Sequence, residues 1–326
     1  MAGLKAPFPW FGGKSRVAKE VWDAFGDVKN YVEPFFGSGA VLLARPSEPK
    51  IETINDKDGF VANFWRAVTH APEETARWAD NPVNENDLHA RHIWLVGQRN
   101  DLTRRLEGDP DYFDAKIAGW WVWGICCWIA GGWCSGKGPW QSLNGKLVSV
   151  STVGNGLRRQ LPHLGNAGQG VNRKLPLIGN AGTGVNKGGV YDWFDALAHR
   201  LRNVRVCCGD WSRICGPTPT FRHGLTGVFL DPPYSAEAGR TEVYSQEDFA
   251  VAHAVRDWCI ANGDNKLLRI ALCGYEGEHN ELQQCGWRVH AWKTAGGYGS
   301  QGHGRGRDNA SKERIWFSPH CLQPLP

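Results

Sequence analysis

Residues 227–235 read GVFLDPPYS. The apolar run Val228-Phe229-Leu230 has the length and composition of a buried strand. That strand must end at Pro232 and Pro233, because proline donates no hydrogen bond to a sheet ladder. A carboxylate, a stiff Pro-Pro backbone and a phenol therefore sit together at a strand exit, and these three groups suit one task. An exocyclic aromatic amine is a poor nucleophile because its lone pair is delocalised into the ring. Two acceptors placed beside its N–H groups draw the nitrogen towards tetrahedral geometry and free the lone pair. Asp231 can supply one acceptor, and the carbonyl of Pro232, aimed by the rigid backbone, can supply the other. Tyr234 offers a face on which a planar base can stack. This is catalysis by positioning and electrostatics, without a covalent intermediate.

Upstream, Tyr31-Val32 leads as a strand into EPFFGSG, residues 33–39, and an apolar helical run starts at Ala40. Strand, glycine-rich turn and helix make a ligand-binding corner. Gly37 and Gly39 let the backbone approach a ligand, and the helix N-terminus favours an anionic group. Glu33, Pro34 and Phe35 share that corner as candidate binding residues. The pair Gly37-x-Gly39 falls short of the dinucleotide fingerprint, and it fits a ligand with a short carboxylate tail better. Asp56 follows the short strand Ile51 to Ile54, where it can accept hydrogen bonds from ribose hydroxyls. Asp210 ends the strand Val204 to Cys208, as a cap for an adenine amino group or as a plain turn residue. In FPWFGGK, residues 8–14, Trp10 suggests a wall against a flat ligand. Gly12 precedes Lys14, which can reach an anion. The full phosphate-loop spacing is missing, which argues against nucleoside triphosphate binding.

The 326 residues carry a formal charge of only +4, but its distribution is uneven. Positive charge predominates from Lys137 to Arg213, among glycines and aromatics, as a polyanion-binding surface requires. Lys137, Arg158, Arg159, Arg173, Lys174 and Lys187 are candidate DNA contacts there. Arg305 and Arg307, in the glycine-rich loop 295–307, are two more. The segment 161–188 holds a tandem repeat, LPHLGNAGQGVNRK then LPLIGNAGTGVNKG. Two copies are too few for a solenoid. They read either as turns presenting N–H groups to phosphates or as a surface insertion. The many tryptophans between Trp120 and Trp133 read as core, with Trp133 and Trp140 as alternative DNA contacts. No run reaches the about 18 apolar residues of a membrane span. MAGLKAPFPW lacks an apolar signal core, so a cytoplasmic protein is expected. The ten cysteines show no Cys-x2-Cys spacing, and the expectation is reduced core thiols and no metal.

The rest of the chain alternates strand and helix patterns. A helical stretch is expected over 72–105 and another over 112–133. A helix from Trp193 to Leu201 comes before the strand ending at Cys208. A helix from Gln246 to Ala261, then strands near 268–273, 286–292 and 313–317, complete the chain. The fold class is α/β, with strand-bearing parts at 1–65 and 191–326 flanking an inserted, largely helical region at 66–190.

PWFGGK at 9–14, VEPFFGSGAV at 32–41 and LDPPY at 230–234 together resemble the Dam-like, alpha-group adenine-N6 DNA methyltransferases, particularly phage-encoded members. The resemblance implies a Rossmann-like methyltransferase sheet whose methyl donor is S-adenosylmethionine. It implies that Trp10 and Lys14 contact the cofactor, Asp56 its ribose and Asp210 its adenine. Asp231 would lie between the cofactor and an adenine flipped out of double-stranded DNA onto Tyr234. Direct displacement from sulfonium to N6, without metal, follows, in a bacterial or phage-infected cytoplasm. The inserted region corresponds to the family's target-recognition region. Its repeat and tryptophans depart from GATC-specific members, which leaves the target sequence open, relaxed specificity included. Cytosine-N4 methylation is the neighbouring alternative, although that family more often has Ser at the position of Asp231. RNA or protein-glutamine methylation would more commonly place Asn there. A DNA-binding protein on a degenerate methyltransferase fold is the non-enzymatic alternative.

Overall fold

The computed structural model describes residues 4–10, 13–128, 133–134, 140–143, 146–149, 189–234, 250–292 and 312–323. Its centre is a seven-stranded mixed sheet. The strands are β1 (Asn30–Glu33), β2 (Ile51–Asp56), β5 (Val204–Cys208), β6 (Thr226–Leu230), β7 (Leu268–Tyr275), β8 (Arg288–Ala291) and β9 (Glu313–Phe317). A separate hairpin pairs β3 (Trp140–Leu143) with β4 (Lys146–Ser149). The order across the sheet is β5-β2-β1-β6-β7-β9-β8. The first five of these run parallel, while β9 is antiparallel to both β7 and β8.

The helices are α1 (Ala18–Phe25), α2 (Ala40–Leu43), α3 (Gly59–His70), α4 (Pro72–Ala79), α5 (Glu85–Gly108), α6 (Ala115–Cys127), α7 (Gly189–Leu201), α8 (Ala250–Asn262) and α9 (Glu281–Gln284). The central parallel strands β1, β6 and β7 are buried on both faces, as strands covered on both sides must be. Tyr31, Phe229, Ala271 and Ile315 point into a large core shared with α1 to α7. Their neighbours Val32, Val228, Leu230, Ile270 and Trp316 point into a smaller core closed by α8 and α9. That alternation follows from the two-residue period of a strand.

The strand expectations agree with these elements to within a few residues. The helical stretch expected over 72–105 is two helices, because Asn81-Pro82 interrupts it after α4. Helix α5 buries Leu88, His92, Leu95, Leu102 and Leu106, spaced by three, four or seven along one face, so Ile93 and Trp94 fall at the margin. Trp133 is core: its indole N–H donates to the Trp121 carbonyl at 3.0 Å and its ring lies against Gly124. The ten cysteines are free thiols.

Helices α4 to α6 pack into the same core as the sheet. Two pins fix the end of α5 and the start of α6 to α3. Asn63 and Asp114 exchange hydrogen bonds at 2.9 and 2.8 Å, and Arg66 donates to the carbonyls of Leu106, Asp109 and Pro110. The Asp114 carboxylate also caps α6 by accepting from the Ile117 N–H at 2.8 Å, an interaction of about 1 kcal/mol.

Candidate functional site

The site grows from the carboxyl ends of four adjacent parallel strands. The chain leaves β1 for β2 on one side and returns to β6 on the other. This reversal of strand order opens a crevice where ligands bind in open α/β sheets. The loops after β1, β2, β5 and β6 line one open cleft.

The first wall is the glycine corner. Gly37 has φ +48°, a conformation that suits glycine. A Cβ there would come within 2.4 Å of the Trp10 indole nitrogen, so the corner and the aromatic N-terminal segment need this glycine in order to touch. The Gly37 carbonyl accepts from the Trp65 indole at 2.9 Å, which ties the turn to α3. Gly39, at φ +66°, starts α2 with the Phe36 ring packed beneath it. Asn55 donates to the carbonyls of Pro34 and Gly209 at 3.1 and 3.0 Å, lashing together the loops after β1 and β5.

Asp56 forms the floor. Its carboxylate accepts the N–H of Gly37 at 2.9 Å and of Asp58 at 2.8 Å. Burial nevertheless pushes this carboxyl up to about 7, against the pull of those N–H groups and with Asp58 close by. Asp210 accepts from the Ser212 hydroxyl and N–H, which hold its carboxyl below the ordinary range. Phe35 stacks on Trp211, with centroids 6.2 Å apart and planes inclined by 27°. Both rings line the cleft and leave an apolar edge for a flat ligand.

Deeper, Asp231 reaches the cleft with its side chain 17% exposed and pairs with the Lys14 ammonium at 2.8 Å. Lys14 also donates to the Tyr234 hydroxyl at 3.1 Å. That hydroxyl lies 2.7 Å from Glu313 and 3.3 Å from Asp231. The Tyr234 ring is buried edge-on against Tyr275, centroids 4.6 Å apart, so it presents no stacking face here. Burial, with Asp231 and Glu313 beside it, raises the phenol well above its ordinary range.

Seven of the expected residues thus line one cleft: Trp10, Pro34, Phe35, Gly37, Asp56, Asp210 and Asp231. Lys14 touches it through Asp231. Glu33 lies beneath it, buried, accepting from the Tyr31 hydroxyl at 2.8 Å, and burial raises its carboxyl well above the usual range. Pro232 is buried behind Asp231, while Pro233 is on the wall. Gly12, Lys137, Arg158, Arg159, Arg173, Lys174, Lys187, Arg305 and Arg307 lie outside the described residues. The sequence reading missed Asn55, Asp58, Trp211, Val251 and Glu313. Asn55, beside Asp56, and Trp211, beside Asp210, had a local signal at a strand end. Among the described residues no His, Cys, Asp or Glu cluster could hold a metal ion, and no helix is long and apolar enough to cross a membrane.

Residues 10–92 match the family model of the D12 class N6 adenine-specific DNA methyltransferases. That stretch contains Trp10, Lys14, the glycine corner and Asp56. Comparison with curated proteins gave no match.

Proposed function

We propose, from the match of residues 10–92 to the D12 class N6 adenine-specific DNA methyltransferases, that this chain methylates adenine N6 in DNA, that its donor is S-adenosylmethionine and that Asp231 receives the target amine. The observation that carries this reading is the single cleft shared by Trp10, Phe35, Gly37, Asp56, Asp210 and Asp231. The strand order, with its reversal beside β1 and an antiparallel β9, supports a Rossmann-like methyltransferase sheet.

The cleft fits the cofactor chemically. Asp56 would accept from the ribose hydroxyls, Phe35 and Trp211 would flank the adenine, and Asp210 would face its amino group. Trp10, seated on Gly37, would cover the amino-acid tail. When bound, the cofactor supplies an electrophilic methyl group on its sulfonium. Lys14 holds the Asp231 carboxylate at the inner end of the cleft, where it accepts from the adenine amine as N6 attacks. The Pro232 carbonyl provides the second acceptor. With its ring held edge-on against Tyr275, Tyr234 would serve the flipped adenine through its hydroxyl beside Asp231 rather than as a stacking face. Residues 1–65 and 191–326 form the catalytic part in this reading. Residues 66–190, with the repeat 161–188 and the basic side chains, meet double-stranded DNA.

The test is incubation of duplex DNA with methyl-labelled S-adenosylmethionine, followed by nucleoside analysis. Label in N6-methyladenine is expected. Label in N4-methylcytosine, or none in DNA, would overturn the reading.

A further inference from the structure

The least expected group near Asp231 is Glu313. It lies on β9, opposite Tyr275 in the register with β7, and its side chain is buried. A buried carboxylate is costly unless it is paired or hydrogen-bonded. Its bond to the Tyr234 hydroxyl, at 2.7 Å, has the ordinary length for O–H···O. The same hydroxyl is 3.3 Å from Oδ1 of Asp231, beyond that range.

A phenol has one proton to donate. Here two carboxylates compete for it, while Lys14 donates into the phenol oxygen at 3.1 Å. The distances give the proton to Glu313. Burial beside two carboxylates keeps the phenol protonated across the working range. Oδ2 of Asp231 is taken by Lys14, and Oδ1, at the cleft, has no well-formed donor from Tyr234. We infer that Glu313 is a positioning residue for methyl transfer: by taking the proton of the Tyr234 hydroxyl, it keeps Oδ1 of Asp231 open to the incoming amine. This rests on the reading of Asp231 given above. Without an acceptor at 313, the phenol turns its proton onto Oδ1 and blocks the position that the adenine N–H must use.

A mutant cycle separates this from simple structural support. Glu313→Leu is expected to lower kcat by about tenfold or more, with KM for the cofactor within about twofold. Glu313→Gln keeps a carbonyl oxygen as acceptor and is expected to retain kcat within about threefold. In Glu313→Leu/Tyr234→Phe the misdirected proton is gone, and kcat is expected to return to that of Tyr234→Phe alone. An undiminished kcat in Glu313→Leu would overturn the inference, as would a double variant slower than Tyr234→Phe alone. So would a folded Glu313→Gln protein as slow as the leucine variant, a result readable even if leucine prevents folding. These outcomes are distinct from failure of the functional reading, in which the wild-type protein itself labels no N6-methyladenine.

Discussion

Two buried ion clusters sit at opposite ends of the parallel strands, and they differ in how completely their carboxylates are satisfied. At the amino end of β2, Glu52 is enclosed by Arg45 and Arg200. One of its oxygens accepts from both guanidinium groups, at 3.1 and 2.9 Å, and the other accepts from Arg200 at 2.7 Å. The arginines spend further N–H groups on the carbonyls of Val28 and Leu42. The cluster at the carboxyl end, Lys14, Asp231, Tyr234 and Glu313, is sealed on one side and opens on the cleft at Asp231. A saturated buried carboxylate holds elements together. One with an unfilled acceptor at a cleft is available for chemistry, and pre-organised acceptors of that kind stabilise a transition state without reorganisation.

Substitutions at the two ends should therefore fail differently. Asp231→Ala is expected to reduce methyl transfer by about a thousandfold or more while cofactor affinity changes less than about threefold. Steady-state kinetics with parallel binding calorimetry would check this, and near-normal turnover would erase the contrast. Glu52→Ala strands two buried guanidinium groups, so a loss of about 3–5 kcal/mol in denaturant stability is expected. Methyl transfer per folded molecule should persist.

Smaller effects sharpen the cleft end. Gly37→Ala puts a Cβ on a φ of +48° and into the Trp10 indole, at about 1–2 kcal/mol for the backbone alone. Cofactor affinity should fall about tenfold, and stability by at least that backbone cost. The Asp56 carboxyl titrates near 7 when folded, against an ordinary 3.8. Between these values the folded protein holds a proton that the unfolded chain has released. This group's contribution to stability therefore grows as pH falls from about 7 to about 4. Binding of ribose hydroxyls favours the carboxylate, so cofactor affinity should weaken below pH 7, by at most about tenfold per pH unit. Asp56→Asn should flatten both slopes, and binding titrations across that range measure it.

The two ends also differ in how legible they were from sequence. The glycine corner, Asp56 and the DPPY turn announce themselves because each follows a short apolar strand, and breaking residues fix where that strand stops. Strand β9 was readable as a strand, but its contribution to the site was not. Glu313 lies 79 positions from Tyr234, and the two meet only because β9 enters the sheet antiparallel beside β7. The motif named Tyr234, yet its seat against Tyr275 depends on the same pairing. Lys14 was read as reaching an anion such as a carboxylate, and which carboxylate it meets, that of Asp231, was not readable. Local pattern specifies which residues turn towards the cleft, and sheet topology decides which charges meet there.

The most direct test of the central claim is a crystal structure with a cofactor analogue and a DNA duplex bound together. The account predicts the adenine N6 within about 3 Å of Oδ1 of Asp231, with Lys14 still on Oδ2 and the cofactor sulfur facing the amine. A target base bound elsewhere, with Asp231 touching only Lys14 and the phenol, would contradict it.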